Sequence, residues 1–285
     1  MDFLLASVID GLLLGFVYGI AAMGLTLIWG VMNVINLAHG PIIALGMFGV
    51  YLIFTGLGIH PYLGLILVAV LGLLLGVVIY YVAVNRVINA PHLSTLLATY
   101  SINMMIIGVG TAVFSASPRN VDFSMGSLSL GPITLLGSRV IAALAAILVT
   151  GALYLFLYRT RPGRYIRAVS NNRDAAELMG VPSTRILALS FGLGTMLASI
   201  AGALIATFFP FTILAGGAYE LKSFVIGVLG GLGNPIGALF GGLILGVLEG
   251  IIPTFMPTTW VPVLEFVLFV LILLVRPSGL FGAKK

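Results

Sequence analysis

The longest apolar runs of the chain limit its fold more than any other feature. Residues 3–29 contain one charged side chain, Asp10, and residues 62–84 contain none. Each run exceeds the ~20 residues that an α-helix needs to cross the hydrocarbon core of a bilayer. Only 7% of the 285 residues are charged, against about 25% in soluble proteins. The sequence therefore predicts an all-α polytopic membrane protein.

Hydropathy and helix-breaking residues predict about eight or nine helical spans within a single transmembrane domain, residues 1–285. The predicted spans are residues 5–29, 41–57, 62–84, 93–115, 139–158, 186–208, 219–233, 236–252 and 259–275. Two of them, 41–57 and 219–233, are short and adjoin Gly, Pro and Asn residues. A helix break at membrane depth is tolerated only where protein or a watery cavity covers the freed backbone. We therefore predict that both short spans line a pathway.

The distribution of basic residues predicts the orientation. The loop 159–185 holds six arginines, and the other basic positions that we place on its side are Arg86, Arg276, Lys284 and Lys285. Basic loops mark the cytoplasmic face of a membrane protein, so we predict that this side is cytoplasmic and that residues 115–138 form an outer loop. This arrangement requires a chain reversal at Asn234-Pro235. The side of the N-terminus stays open, and the first apolar run is expected to remain as a membrane helix, because it lacks the basic start of a signal peptide.

The sequence offers little for chemistry. It contains no cysteine, which excludes disulfides and thiolate metal sites, and its three histidines lack a paired carboxylate at metal-ligand spacing. It also lacks the Gly-rich loop with Lys and Ser or Thr that cradles nucleotide phosphates. We therefore expect no catalytic residue, bound cofactor or metal, and no nucleic-acid partner. Any ATP hydrolysis would take place on another chain.

Glycines recur at every fourth position in three stretches of the chain. These are Gly11, Gly15 and Gly19, then Gly233, Gly237 and Gly241, then Gly242, Gly246 and Gly250. Such spacing places bare backbone on one helix face and allows a second helix to approach closely. The partner is either another helix of the same chain or a helix of a second membrane subunit.

The loop between the fifth and sixth spans contains a short helix with clear ends. Asn171 or Asn172 can cap its N-terminus, and Asp174 lies in its first turn, where a carboxylate is favoured. Gly180 can adopt the left-handed conformation that ends a helix, and Pro182 prevents its continuation. Ala175, Leu178 and Met179 form one apolar face. A helix of about two turns is unstable alone in water, so this face docks either on a soluble partner, which we favour, or on the membrane and the chain's own helix ends.

Four stretches of this chain resemble the permease subunits of high-affinity branched-chain amino acid ABC importers. They are GLTLIWGVMNVINLAHG at 24–40, GRYIRAVSNNRDAAELMG at 163–180, GGLGNPIGALFGG at 230–242 and RPSGLFG at 276–282. The resemblance implies that the 163–180 stretch carries the coupling helix that seats on an ATP-hydrolysing subunit. The residues that inherit this role are Asn172, Asp174, Ala175, Ala176, Leu178, Met179 and Gly180.

The resemblance also implies an assembly in the cytoplasmic (inner) membrane of a bacterium. Its other members would be a second permease of different sequence, two cytosolic ATPases that bind ATP and Mg²⁺, and an extracytoplasmic solute-binding protein. The implied solutes are leucine, isoleucine and valine, although relatives move urea, amides or other amino acids.

Polar residues within the apolar spans are candidates for a translocation pathway, because ionisable groups in a membrane are costly. The candidates are Asn33, Asn36, His39, Asn103, Glu220, Lys222 and Asn234. Simpler roles remain open: His39 can satisfy backbone groups, Asn103 can bond a neighbouring helix, and Glu220 and Lys222 are either receivers of a zwitterion at an outer vestibule or helix-end charges. Glu249 is expected at the interface, and Glu265 is either partly hydrated or a partner of Lys222.

Two other classes of transporter remain as alternatives. A passive channel is conceivable because paired short helices with Asn-Pro at a reversal also occur in water and glycerol pores, but such a pore has no use for an Arg-rich capped helix. An ion-coupled transporter normally needs buried acids to carry its ion, and Glu265 is a weak candidate.

Overall fold

The computed structural model describes residues 2–130, 133–276 and 278–282, so the predicted basic tail residues Lys284 and Lys285 lie outside the described part. Its helices are α1 (Asp2–Met32), α2 (His39–Leu57), α3 (Pro61–Ile79), α4 (Asn85–Val87), α5 (His92–Phe114), α6 (Gly137–Arg159), α7 (Arg161–Asn171), α8 (Arg173–Leu178), α9 (Ser183–Ile205), α10 (Gly216–Gly230), α11 (Pro235–Phe255) and α12 (Val261–Val275). A π-helical turn, Tyr80–Val84, joins α3 to α4.

The prediction of an all-α polytopic membrane protein is confirmed. Within the described ranges, nine helical segments are long and apolar enough to cross a bilayer. The sequence missed two smaller elements. One is the helix α7 in the basic loop. The other is a hairpin of β1 (Ser127–Leu130) and β2 (Ile133–Leu136) in the 115–138 loop, in which Ser127 pairs with Leu136.

The glycines that recur at every fourth position pack against other helices of the same chain. Gly11 and Gly15 of α1 lie against the backbone of Gly246 and Gly242 of α11, with no room for a methyl group at either contact. Gly237 packs in the same way against Gly230. Contact between helix backbones replaces the hydrophobic driving force that is missing in lipid. The intrachain interpretation is therefore confirmed, and the alternative of a second membrane subunit is wrong for these faces.

Long-range contacts settle the side of the N-terminus. Gly30, near the end of α1, packs on Gly233, and Gly231 packs on Gly282 near the C-terminus. Arg173 of α8 donates a hydrogen bond to Asn89, in the connection before α5, at 3.4 Å. These contacts show that all of these segments lie at the same end of the molecule, which we call the arginine-rich side. The N-terminal end of α1 lies on the opposite side.

The predicted reversal before α11 is present. Asn234 accepts a hydrogen bond from the Gly237 amide at 3.1 Å, which caps α11 as Pro235 begins it. Since α10 ends at Gly230 and packs back along α11, the two helices are antiparallel. Four crossings therefore separate the basic loop from Arg276, as the charge distribution required.

Two helices begin in the middle of the molecule. The His39 ring, at the start of α2, contacts the Ala21 carbonyl oxygen at 2.9 Å, and Ala21 lies about 16 Å from the Met32 end of α1 at the usual rise of about 1.5 Å per residue. Gly216, the first residue of α10, packs directly against Gly40. We call the meeting of His39, Gly40 and Gly216 the mid-membrane junction. From it, α2 runs toward the opposite side and α10 toward the arginine-rich side.

Candidate functional site

The exposed knob on the arginine-rich side comprises residues 172–180. Its local structure follows from the capping residues. Asn172 accepts a hydrogen bond from the Ala175 amide at 3.0 Å, so Asn172 rather than Asn171 is the cap. At the other end Gly180 has φ 81°, and the Val181 amide bonds to the Ala176 carbonyl oxygen at 3.0 Å. This pattern closes the helix with glycine in a left-handed conformation.

The apolar face of the knob points away from the protein. Leu178 is 88% exposed and Met179 is 85% exposed, while Asp174 and Ala175 are also on the surface. Ala176 differs from the other predicted coupling residues because it is buried, so it holds α8 against the protein. Burying a Leu or Met side chain contributes about 1.5–3 kcal/mol. This face is therefore suited to dock on a partner.

Hydrogen bonds tie the knob to the transmembrane helices. Ser183, the first residue of α9, donates to the Glu177 carboxylate, and Arg173 donates to the same carboxylate at 3.0 Å. These two bonds, the Ser183 bond first, hold the pKa of Glu177 below its ordinary value of 4.5. These bonds link α8 directly to the start of α9.

The helix α7 supports the knob from the other side. Thr160 accepts a hydrogen bond from the Gly163 amide at 3.1 Å, which caps the helix. Gly163 packs against the backbone of Phe156 and Leu157, and Ile166 and Val169 are buried. The signal in the sequence was Thr-x-Pro-Gly followed by apolar residues three positions apart, which is typical of a capped amphipathic helix.

The segment between α1 and α2 is held in place by α5. Asn103 donates to the Leu37 carbonyl oxygen at 2.5 Å, and Thr99 donates to the Ile35 carbonyl oxygen at 3.2 Å. Asn36 accepts from the Ala38 amide at 3.1 Å. Asn103 therefore bonds a neighbouring segment, as one interpretation held. Thr99 was missed, although it lies one helical turn before Asn103 on the same face.

Unpaired polar atoms collect near the mid-membrane junction. Among the described side chains, Asn36 Nδ2, His39 Nδ1 and Asn103 Oδ1 are buried without a hydrogen-bond partner. The other ring nitrogen of His39 contacts the Ala21 backbone, as expected for a histidine that satisfies backbone groups. Glu220 lies against Gly40, with one carboxylate oxygen 3.5 Å from Asn103 Nδ2. A buried unpaired polar group costs about 1–3 kcal/mol, so this cluster is a candidate for contact with water or a polar solute.

Lys222 belongs to a separate cluster. Its ammonium lies 2.5 Å from Glu249 and 3.7 Å from Glu265, and Tyr18 donates to Glu249 at 3.2 Å. The interpretation of Glu265 as a partner of Lys222 is confirmed, while Glu249 is paired inside the helix bundle. Glu220 and Lys222 both follow Gly216 along α10, so they lie on the arginine-rich side of the mid-membrane junction rather than at the outer end of a helix. Their role in receiving a zwitterion stays a prediction. They face different helices since positions two apart do not share a helix face.

Asn33 and Asn234 lie at the arginine-rich side. Asn33 has φ 51° and lines a cavity of about 290 Å³ together with Asn172 and Arg173. Asn234 donates to the Phe281 carbonyl oxygen at 3.1 Å. The structure thus divides the predicted pathway residues among the junction, the Lys222 cluster and this end of the molecule. In the described ranges, no group of three His, Cys, Asp or Glu residues could hold a metal ion.

Comparison with known proteins gives the family. Residues 7–275 match the family described as branched-chain amino acid transport system / permease component. LivH of Salmonella typhimurium (strain LT2), a high-affinity branched-chain amino acid transport system permease protein, is 29% identical over 304 aligned positions, covering 98% of this chain and 96% of LivH. BraD of Pseudomonas aeruginosa, a permease protein of the same description, is 28% identical and covers 98% of this chain and 95% of its own length.

A more distant relative carries another solute in its name. The ribose import permease protein RbsC of Escherichia coli (strain K12) is 28% identical over 237 aligned positions, which cover 79% of this chain and 71% of RbsC. No solved structure matches. In the described part of the chain, nine helical segments are long and apolar enough to cross a bilayer. The chain therefore belongs to the family of permease components of branched-chain amino acid transport systems.

Proposed function

We propose that this chain is the membrane-spanning permease subunit of an ATP-driven ABC importer that moves branched-chain or related amino acids into the cytoplasm. It resides in the cytoplasmic (inner) membrane of a bacterium with its arginine-rich side facing the cytosol. A second permease, two cytosolic ATPases that hold ATP and Mg²⁺, and an extracytoplasmic solute-binding protein complete the assembly. This chain itself carries out no chemistry.

One observation carries the proposal: the exposed apolar face of the knob. Leu178 and Met179 are 88% and 85% exposed, on a helix too short to be stable alone. The positive-inside rule supports a cytosolic location for this face. A cytosolic subunit that covers it gains the energy of burying both side chains. An ATPase that changes shape during hydrolysis would then move α8.

The path from the knob to the junction is short. Glu177 of α8 is bonded to Ser183, and α9 runs from Ser183 across the membrane with most of its residues buried. Further along α9, Gly202 packs on the backbone of Ile43 in α2 without space for a side chain. Packed elements of this kind shift between discrete arrangements rather than deform continuously. Movement of α8 would therefore reach α2 and the mid-membrane junction.

The junction is the proposed site of passage. The unpaired polar atoms of Asn36, His39 and Asn103 lie there, beside Glu220. Modest polarity is sufficient for a zwitterionic amino acid if the path is hydrated when it opens. Solute choice would reside mainly in the binding protein, in line with the similarity of this chain to a ribose permease.

The pump is favoured over a passive channel or an ion-coupled transporter. Neither alternative explains a capped helix that presents Leu178 and Met179 to the aqueous phase. Glu265, the candidate for ion coupling, is paired with Lys222. The family description and the relatives' names refer to transport systems with permease components.

The proposal is tested with the paired substitutions Leu178→Ser and Met179→Ser in the full complex. We expect loss of ATPase co-purification and loss of ATP-dependent amino acid uptake in proteoliposomes. Leu128→Ser is the control, since Leu128 is half-exposed on the hairpin at the opposite side. Solute uptake at full rate by the chain without any ATPase subunit would refute the proposal.

A further inference from the structure

A large cleft opens between α1, α6, α7 and α11, away from the mid-membrane junction. Its volume is about 590 Å³, within the ~300–1,000 Å³ of small-molecule sites. We propose that this cleft binds an anionic glycerophospholipid of the cytoplasmic leaflet, with one acyl chain between the helices and the phosphate at Arg167.

The walls of the cleft are apolar and lie at membrane depth. Its lining includes Leu27 of α1, Ile147 and Leu153 of α6, and Leu239 and Phe240 of α11. Gly151, on α6, leaves open space where another residue would place a side chain: an added Cβ there meets no atom within 4 Å. A zwitterionic solute gains little from such walls, whereas an acyl chain matches their chemistry.

The mouth of the cleft is cationic. The Arg167 guanidinium lies over the Tyr158 ring at 4.4 Å, and its Nε donates to the Leu157 carbonyl oxygen at 3.2 Å. These contacts fix the orientation of the group and use one of its nitrogens. Tyr154 stacks on Tyr158 with ring centroids 4.5 Å apart, and tyrosines are typical of the headgroup region of a bilayer.

Within the described ranges, the charge of Arg167 has no carboxylate partner. Among the described residues, no carboxylate lies in ion-pair range of Arg167 or of the neighbouring Arg159, Arg161 and Arg164. Basic pockets between helices on the cytoplasmic side recognise anionic lipid headgroups, and arginine binds phosphate with two parallel hydrogen bonds. The charge therefore selects an anionic lipid over a zwitterionic one.

The test compares two lipids with identical acyl chains. The purified, delipidated complex is titrated with phosphatidylglycerol or phosphatidylcholine and examined by native mass spectrometry and thermal unfolding. We expect wild type to retain phosphatidylglycerol at least ~10-fold better, a difference of about 1.4 kcal/mol. Equal retention of the two lipids would overturn the proposal without any variant.

Two variants, each with a matched control, locate the site. Gly151→Leu fills the cleft and should remove phosphatidylglycerol retention, whereas Gly56→Leu, at a second glycine with open space around it, should not. Arg167→Gln should abolish the preference for the anionic headgroup, while Arg185→Gln, on the exposed start of α9, leaves it intact. Retention of phosphatidylglycerol by Gly151→Leu at the wild-type level contradicts the assignment.

A cysteine at the same position identifies other occupants. The chain contains no natural cysteine, so Gly151→Cys provides a single reactive site in the cleft. We expect it to react with a lipid-soluble maleimide that carries a photoreactive group, and to form no cross-link with other subunits on illumination. A cross-link to the second permease would show that a protein helix fills the cleft and would exclude the lipid. None of these readouts depends on transport, so they stand apart from the proposed function.

Discussion

The hydroxyl of Ser183, at the start of α9, donates a hydrogen bond to the Glu177 carboxylate on α8. Arg173 donates to the same carboxylate. One acidic side chain thus joins the exposed knob to a helix that crosses the whole molecule. If the proposed coupling is right, this carboxylate transmits the movement of the ATPase.

Ser183→Ala should raise the pKa of Glu177 toward 4.5, because the Ser183 bond is the first cause of its depression. At pH values above 4.5, the lowered pKa of the Glu177 carboxyl stabilises the folded knob. This contribution is lost as pH falls through the folded-state pKa. Hydrogen exchange of the 173–180 amides against pH should therefore show a smaller loss of protection in the variant, and that loss should be complete at a higher pH than in wild type. Thr184→Ala, at an exposed neighbour, is the control. Identical pH profiles would argue against the role of this bond.

The mid-membrane junction should tolerate no side chain at Gly216. An added methyl group would overlap the backbone of Gly40, while the same group at Gly217 meets no atom within 4 Å. We expect Gly216→Ala to destabilise the protein by about 1–3 kcal/mol and to abolish uptake. Gly217→Ala should stay within about 0.5 kcal/mol of wild type. Thermal unfolding and uptake measured on both variants decide the matter, and equal behaviour would contradict the close contact.

Lys222→Met should strongly destabilise the helix bundle. The side chains of Lys222, Glu249 and Glu265 are only 18%, 20% and 6% exposed, and removal of one partner of a buried pair costs about 3–5 kcal/mol. Substitution of Glu249 and Glu265 by Gln in the same variant should recover most of the loss. Glu220→Gln, which leaves this cluster intact, is the control in the unfolding assay. If Lys222→Met were as stable as wild type, the prediction that this cluster stabilises the helix bundle would be wrong.

Asn103→Leu should lower transport while leaving the assembly with the ATPase intact. It leaves the Leu37 carbonyl oxygen without the 2.5 Å bond from Asn103, at a cost of about 1–3 kcal/mol. We expect lower uptake with ATPase association retained, because the knob is far from this site. Ser101→Leu is the matched control, since Ser101 is exposed and donates a hydrogen bond to Leu97 of its own helix. Wild-type uptake by Asn103→Leu would exclude it from the pathway.

Elements governed by local rules were predicted well. The ends of α8 follow from Asn172, Gly180 and Pro182, since capping and left-handed glycine depend on a few adjacent residues. The breaks before α2 and α11 followed likewise from Asn, Gly and Pro. The helix α7 was missed, although its capping threonine and buried Ile166 and Val169 were visible in the sequence.

The partners of the polar residues were harder to predict. Glu220 and Lys222 were grouped because they are two positions apart, yet Glu220 faces Gly40 and Lys222 faces Glu249. In a bundle surrounded by lipid, both the buried and the exposed helix faces are apolar. The pattern along a helix therefore does not reveal which face meets another helix.

The sequence by itself determined that this protein lies in lipid, that it has about eight or nine helical spans, and where its knob begins and ends. These depend on the length of apolar runs, on basic loops and on short-range capping. Only the tertiary structure decided that α2 and α10 begin against each other at Gly40 and Gly216, and that Lys222 lies between two carboxylates. Such contacts join residues more than twenty positions apart, and they are set by how helices pack rather than by any local preference of the chain.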